Sequence, residues 1–385
     1  MNQNRWDTVV VGAGPAGSTA ALQLASKGYS VLLMDRDAFP REKVCGDGLI
    51  PDALRSLTRN GLYEEVAARA NPVNAMTFYS PGKYSFSLQG EFLTIQRKHL
   101  DSILWKAARR SGSRFLNAAV EEVAVPDGET VVITCRSGRQ LYARTAVIAT
   151  GADIRLLDQL GMVKRRSPSA VAARQYLESD YRVEDIIISL DRSVLPGYAW
   201  IFPMSGNTYN AGCGVLYREG GNPGLNLRDA LQSFTEHFEP ARNLYAGAGH
   251  ITPIKGARLR WGLMGLHTPV YKNSVVAIGE TLGATFPLTG EGIGKAMETA
   301  ELAAQSLDGV LSTKDPAALK QYPTRLRELQ STYQGYIQAQ KWINYPWYLD
   351  ILAKRAQHSI RLRQVLEGIL TEQVNPAEIF SLKGL

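Results

Sequence analysis

The chain has 385 residues, of which 45% are hydrophobic and 21% charged, and carries a formal net charge of +7. That length suits two or three connected domains with a large core, and the composition excludes a disordered, fibrous or collagen-like chain. No apolar run reaches the roughly eighteen residues of a membrane span, and the first residues resemble no signal peptide. The three cysteines (Cys45, Cys135 and Cys213) and five histidines show neither a disulfide framework nor metal-ligand spacing, so no metal is expected. A reduced, cytoplasmic setting follows. The basic balance admits an anionic ligand or membrane surface. No nucleic-acid module is present, and no nucleic-acid partner is expected.

The chain opens on Thr8-Val9-Val10-Val11, a β-branched run of the length of a buried parallel strand. Gly12-Ala13-Gly14-Pro15-Ala16-Gly17 follows, then an alanine-rich helix from Ser18 to about Lys27, Gly28, and a second strand, Ser30 to Met34, ending on Asp35. Strand, glycine turn, helix, strand and acid is the order of a dinucleotide-binding unit. Gly12 permits the turn, Gly14 lets the backbone approach a pyrophosphate, and Gly17 lets the helix pack on the strands. The free N–H groups of the helix N-terminus favour phosphate, and Asp35 can accept hydrogen bonds from a ribose.

Next comes a loop rich in Gly, Pro and charge, Arg36 to Leu49, in a position that suits function better than mere connection. Pro51 to Arg59 reads as a helix. Met76–Tyr79 and Tyr84–Leu88, around Pro81-Gly82, read as a hairpin. A helix from Lys98 to Arg110 precedes strands at Val120–Val125, Val131–Cys135 and Gln140–Tyr142. Ala146 to Asp153 then reads as a further parallel strand and small-residue turn. From Ser167 to Trp261 the pattern changes to aromatic-rich strands, suggesting a separate antiparallel sheet with a helix at Ala230–Phe238. Ser274–Ile278 returns to the first sheet. Phe286 to Gly294 leads into a long helix through Leu307, and Pro316 to Leu370 is helical and amphipathic.

Four motifs stand in order: the N-terminal unit, the Cys45 loop, Ala149-Thr150-Gly151-Ala152-Asp153, and Gly279-Glu280 with its following helix. Together they resemble the flavoproteins built like para-hydroxybenzoate hydroxylase. Within that group, Pro40-Arg41-Glu42-Lys43-Val44-Cys45-Gly46 is similar to the PxxKxCG signature of the geranylgeranyl reductase family. Tyr198-Ala199-Trp200-Ile201-Phe202-Pro203 with Gly212-Cys213-Gly214 is similar to that family's YxWxFP and GxG pair. The resemblance covers most of the chain. It implies an α/β fold with a Rossmann-like FAD-binding domain (1–75, 95–166 and 268–310). An antiparallel substrate domain (76–94 and 167–267) is interleaved with it, and a helical region (311–385) follows.

By the same resemblance the cofactor is FAD, held by Gly12, Gly14, Ala16, Gly17, Asp35, Arg36, Arg41, Cys45, Gly46, Arg97, Val123, Gly151, Gly279, Glu280, Gly290, Gly292 and Ile293. Glu280 departs from the aspartate usual after that glycine. The implied reaction saturates isolated double bonds of a prenyl chain, with Cys45, Tyr198 and Trp200 as catalytic residues. Trp200, Phe202, Pro203, Gly212, Gly214 and Pro287 would line the substrate pocket. Two readings stay open at Cys45, proton donor or small buried hydrophobe, and two at Tyr198 and Trp200, pocket wall or plain sheet face. Cys213 and Cys135 read as packing residues. No second GxGxxG marks a nicotinamide site, so the external reductant is NAD(P)H or a ferredoxin-like donor protein. The rival reading is a flavin monooxygenase of an aromatic or polyketide substrate, a group that lacks the Cys45 signature. Near the C-terminus, Trp342, Tyr345, Trp347 and Tyr348 with Lys354, Arg355, Arg361 and Arg363 suggest peripheral attachment to the inner membrane face, or a helix capping the substrate domain.

Overall fold

The computed structural model describes residues 5–217, 225–263 and 265–379. Two sheets share the chain. In the first, Arg5–Val11 lies between Val31–Asp35 and Gln140–Ile148 and is parallel to both, with Val9 opposite Leu32 and Ala146. Val275–Ala277 extends this sheet beside Gln140–Ile148, and Arg114–Asn117 extends it beside Val31–Asp35. Val9, Val10, Leu33 and Val147 are fully buried, as a parallel sheet covered on both faces requires. The helices Pro15–Ser26, Arg97–Arg110 and Ile293–Thr313 pack beside one another over it.

Gln140–Tyr142 and Ala146–Ile148, which read as two strands, form one. The polar Arg144-Thr145 pair does not break it, because the Thr145 hydroxyl lies 2.7 Å from that of Thr8 and 3.0 Å from the Asp7 carbonyl. The first half of the strand pairs antiparallel with Val131–Cys135, and the second half pairs parallel with Arg5–Val11.

The second sheet runs, neighbour by neighbour, through Ala248–Ile251, Ala170–Ser179, Thr208–Leu216, Gly197–Pro203, Ile186–Ser189, Asn71–Tyr79, Ser85–Thr94 and Gly48–Leu49. It is antiparallel except where Ile186–Ser189 meets Asn71–Tyr79. Its reach differs from the sequence reading at two places. The hairpin begins at Asn71, and Gly48–Leu49, just past Cys45, pairs with Leu93 and Thr94. The Cys45 loop therefore leaves the first sheet and ends in the second.

The C-terminal helices Gln321–Gln340, Pro346–His358 and Ile360–Leu370 close the molecule. Tyr322 donates to the Ala277 carbonyl (2.8 Å), Tyr336 to Ile369 (3.1 Å) and Tyr333 to Ala284, so three buried hydroxyls tie Gln321–Gln340 to its surroundings. Among the described residues, no helix is long and apolar enough to cross a membrane.

Candidate active site

One continuous cavity of about 840 Å³ runs from the Gly12–Ala16 turn and Asp35 to the face of the second sheet and the C-terminal helices. At the first end, Gly12 takes φ +103°, and a side chain there would overlap the Ala149 carbonyl. Asp35 is buried. Its Oδ2 accepts from the Ala13 N–H (2.8 Å) and its Oδ1 from that of Asp37 (3.0 Å), leaving further acceptor capacity on the carboxylate. Arg41 and Arg97 both pair with the buried Asp101, at 3.1 and 2.7 Å. A Cβ on Gly14 would come within 3.6 Å of Arg41 and 3.9 Å of Arg97. The Arg41 Nε is buried with no hydrogen-bond partner. A glycine-floored cradle with an orphaned guanidinium donor fits a pyrophosphate, and a carboxylate at the strand end fits a ribose diol.

The cavity then passes Arg36, Gly151 and Glu280 and reaches Gly290, Glu291, Gly292 and Ile293, at the N-terminus of the helix Ile293–Thr313. Its unpaired N–H groups would favour negative charge on a bound flavin ring. Glu291 and Asp52 also line this end. Burial, reinforced by their mutual repulsion, raises Glu291 well above the usual carboxylate range. Burial brings Asp52 to about 7 despite Lys295.

The Cys45 loop is held by side chains that the motif alone does not name. Asp47 has φ +68°, a left-handed conformation costing a non-glycine residue about 1–3 kcal/mol. Three bonds to its carboxylate keep it there. Oδ2 accepts from Tyr176 (2.5 Å) and Asn210 (2.8 Å), and Oδ1 from the Arg97 N–H (3.2 Å). Asn210 Nδ2 also lies 2.8 Å from the Cys45 carbonyl, and its Oδ1 accepts from Trp200 Nε1 (3.0 Å). Burial lifts Asp47 to about 6 even so.

Three glycines here, Gly46, Gly48 and Gly212, have steric reasons. A Cβ on Gly48 would approach the Phe202 ring to 2.9 Å, and one on Gly46 to 3.2 Å, so this loop can lie flat on Phe202. On the neighbouring strand, a side chain at Gly212 would occupy the space of the Trp200 indole. Gly212 is thus a trough for Trp200. Tyr198 donates its hydroxyl proton to the Thr289 carbonyl (2.5 Å), bracing the sheet against the turn before Gly290.

Cys45 is partly accessible from the cavity. Burial is the largest influence on its thiol and pushes it up; Arg97 opposes this and Asp47 adds to it. The resting group therefore keeps its proton at neutral pH. Cys213 and Cys135 are buried in separate cores, Cys213 with its sulfur 3.6 Å from the Leu227 carbonyl.

Not every residue expected at the site reaches the cavity. Val123 is buried opposite Ile133 in the first core, and Ala118, Ala119 and Val120 line the cavity instead, because the chain passes the cavity before turning inward. Gly17 and Gly279 stand behind the lining, where Gly17 meets the Gly12 carbonyl and Gly279 the Ala16 methyl. Pro203 offers only its carbonyl, to Asn71 and Thr94, and Pro287 is buried off the cavity. Asn210, Tyr176, Arg174, Asp101, Asp52 and Glu291 were missed. The period-two alternation of Asn210 with Gly212 and Gly214 was a usable signal for the first; the others depend on distant strands.

Residues 5–173 match the model of the FAD binding domain family. The chain is 34% identical to the menaquinone reductase of Mycobacterium tuberculosis over 320 residues, which is 78% of this chain and 76% of that protein. It is 28% identical to digeranylgeranylglycerophospholipid reductase 1 of Methanopyrus kandleri, over 84% of this chain and 86% of that one. In fold it matches a geranylgeranyl bacteriochlorophyll reductase-like protein of Thermoplasma acidophilum, with TM-score 0.83, 19% identity and coverage of 99% of this chain and 97% of that one. The protein is an FAD-dependent oxidoreductase. It belongs to the geranylgeranyl reductase family.

Proposed function

We propose that the enzyme saturates carbon–carbon double bonds in the prenyl chain of a lipid, quinone or pigment precursor. The observation that carries this is the Cys45 thiol at an apolar sheet face continuous with the cofactor groove, a setting whose burial pushes the thiol pKa up. FAD, when bound and reduced, supplies a hydride. An unactivated alkene also needs a proton on its other carbon, from a donor within about 3–3.5 Å. Cys45 gives that proton, so hydride and proton together make the saturated bond, and Arg97 lies against the thiolate left behind. Trp200 and Phe202 hold the chain flat, and Tyr198 braces the wall, its own proton being engaged by Thr289. The external electrons come from NAD(P)H or a ferredoxin-like protein.

The deciding experiment is anaerobic photoreduction followed by mixing with a geranylgeranyl compound or with oxygen. A reductase is reoxidised by the alkene. Rapid reoxidation by oxygen through a peroxyflavin, with none by the alkene, would indicate the monooxygenase instead. The cofactor has its own test. Flavin released by denaturation should chromatograph as FAD, and Asp35→Ala should weaken its retention by about 1.5–3 kcal/mol, the value of hydrogen bonds to a charged group. Release of FMN would refute this assignment, since FMN has no adenosine ribose.

Membrane attachment is part of the same proposal. The helix Pro346–His358 turns Tyr348, Leu349, Leu352 and Ala353 to the cavity, while Trp347 (59% exposed) and Ile351 (44%) face out. Tyr345 and Ile360 (66%) are exposed beside them, with Lys354, Arg355 and Arg361. Arg363 differs from its sequence reading, since its guanidinium donates to the Ala356 and Gln357 carbonyls (2.6 and 3.0 Å). An aromatic and basic outer stripe on a cavity wall suits a lipid surface that delivers the substrate. Anionic vesicles should sediment the protein at low salt and release it at high salt. Trp347→Ala with Ile351→Ser should weaken the binding severalfold, and salt-insensitive or absent sedimentation would count against attachment.

A further inference from the structure

Arg174 is 1% exposed, yet its Nε and Nη2 are buried without a hydrogen-bond partner. Its guanidinium lies 3.9 Å from the Tyr176 ring centroid, and Glu42, with its side chain half exposed, stands 3.5 Å from Nη2 as an ion pair without a hydrogen bond. The nearby Asp47 carboxylate is already occupied by Tyr176, Asn210 and the Arg97 N–H. Leaving charged donors buried without a hydrogen bond is costly, so a group that enters the cavity and satisfies them gains strongly.

Strand register shows what lies beyond Arg174. It stands opposite Gly212, Gly212 opposite Trp200, Trp200 opposite Ile188, Ile188 opposite Phe78, and Phe78 opposite Phe86. One cross-strand row thus begins at a cation and continues as apolar and aromatic groups. Five strand spacings of about 4.8 Å give it a length of about 24 Å. Phe78 and Phe86 stack at its far end, 5.3 Å apart. All the side chains of the row line the cavity, with Gly212 beneath Trp200. The row has one polar end and a long dry bed.

Resting on the reductase reading, we infer that Arg174 is an oxyanion subsite that binds the phosphate-type head of the substrate, which lies along the row with its prenyl chain toward Phe86. A guanidinium whose Nε and Nη2 make no hydrogen bond matches two oxygens of a phosphate, as a single carbonyl oxygen does not. Arg174 is then a specificity-determining residue. It selects an anionic amphiphile and fixes which end of the chain approaches Cys45.

Binding to the oxidised holoenzyme, followed by calorimetry, tests this with ligands that share one chain. These are geranylgeraniol, geranylgeranyl diphosphate, a geranylgeranyl phosphodiester lipid and a quinone with the same chain. The wild type should bind the phosphate-headed ligands at least tenfold more tightly than the alcohol. Arg174→Gln should erase that difference while leaving alcohol binding and the FAD spectrum unchanged, and Arg174→Lys should restore part of it. A preference for the diphosphate over the phosphodiester, or the reverse, assigns the head as terminal or internal, and either supports the subsite. Equal binding of alcohol and diphosphate by the wild type would overturn it. So would a quinone that depends on Arg174 as strongly as the diphosphate does, or loss of FAD in Arg174→Gln. If reduced enzyme failed to saturate any of these ligands while the head preference persisted, the reductase reading would fall and the subsite would stand.

Discussion

Cys45→Ala is expected to retain FAD and to accept electrons normally, yet to reduce the alkene at least tenfold more slowly, about 1.4 kcal/mol of barrier. The variant removes the thiol and leaves the loop, because Asn210 holds the Cys45 carbonyl and not its sulfur. Cys45→Ser should recover part of the loss, as a hydroxyl is a weaker acid. Single-turnover reoxidation of the reduced enzyme measures both. The pH dependence carries a sign. Burial raises the thiol, so the proton-bearing state persists through neutral pH and the rate should fall only on the alkaline side of the ordinary thiol range. An alanine variant turning over at the wild-type rate would return Cys45 to a packing role.

Gly17→Ala is expected to yield a protein that is both destabilised and largely free of flavin. The added methyl would sit inside the Gly12 carbonyl and against the Val10 side chain, so the helix Pro15–Ser26 must shift off the strand. Such overpacking costs about 3 kcal/mol, and it displaces the helix N-terminus that faces the pyrophosphate. Gly249→Ala is the control, since no atom would meet the new methyl, and its stability should stay within about 0.5 kcal/mol of wild type. Thermal unfolding with flavin quantitation distinguishes the two. A Gly17→Ala protein that unfolded at the wild-type temperature with full flavin would refute the packing account.

The parts of this molecule legible in the sequence were those whose physics is local. A β-branched run, a glycine turn and an acid eighteen residues after Gly17 lie on one short stretch, and each has one job. The Cys45 and Tyr198–Gly214 motifs were also visible, but their connection was not. Asn210 joins them by bonding Trp200 on one side and the Cys45 loop on the other, a contact that spans 165 residues to Cys45. Val123 lies off the cavity lining for a related reason, since alternation along a strand gives two faces but does not say which of them meets a cavity. Buried charges were hardest to foresee. Nothing near Arg174 or Asp52 in the sequence distinguishes them from solvated surface residues until the strands and helices have been assembled.

The strand Gln140–Ile148 belongs to two structures at once, an antiparallel meander with Val131–Cys135 and the parallel sheet with Arg5–Val11. Neither can be completed without it. Val275–Ala277 then pairs with the same strand, Val275 opposite Ala146, so this one strand joins partners about 130 positions before it and about 130 positions after it in the chain. Contacts so distant are made late, after large loops have closed. Folding should therefore be slow and all-or-none around this strand. Hydrogen exchange at Ala146–Ile148 should report the opening of the whole molecule and not of one part.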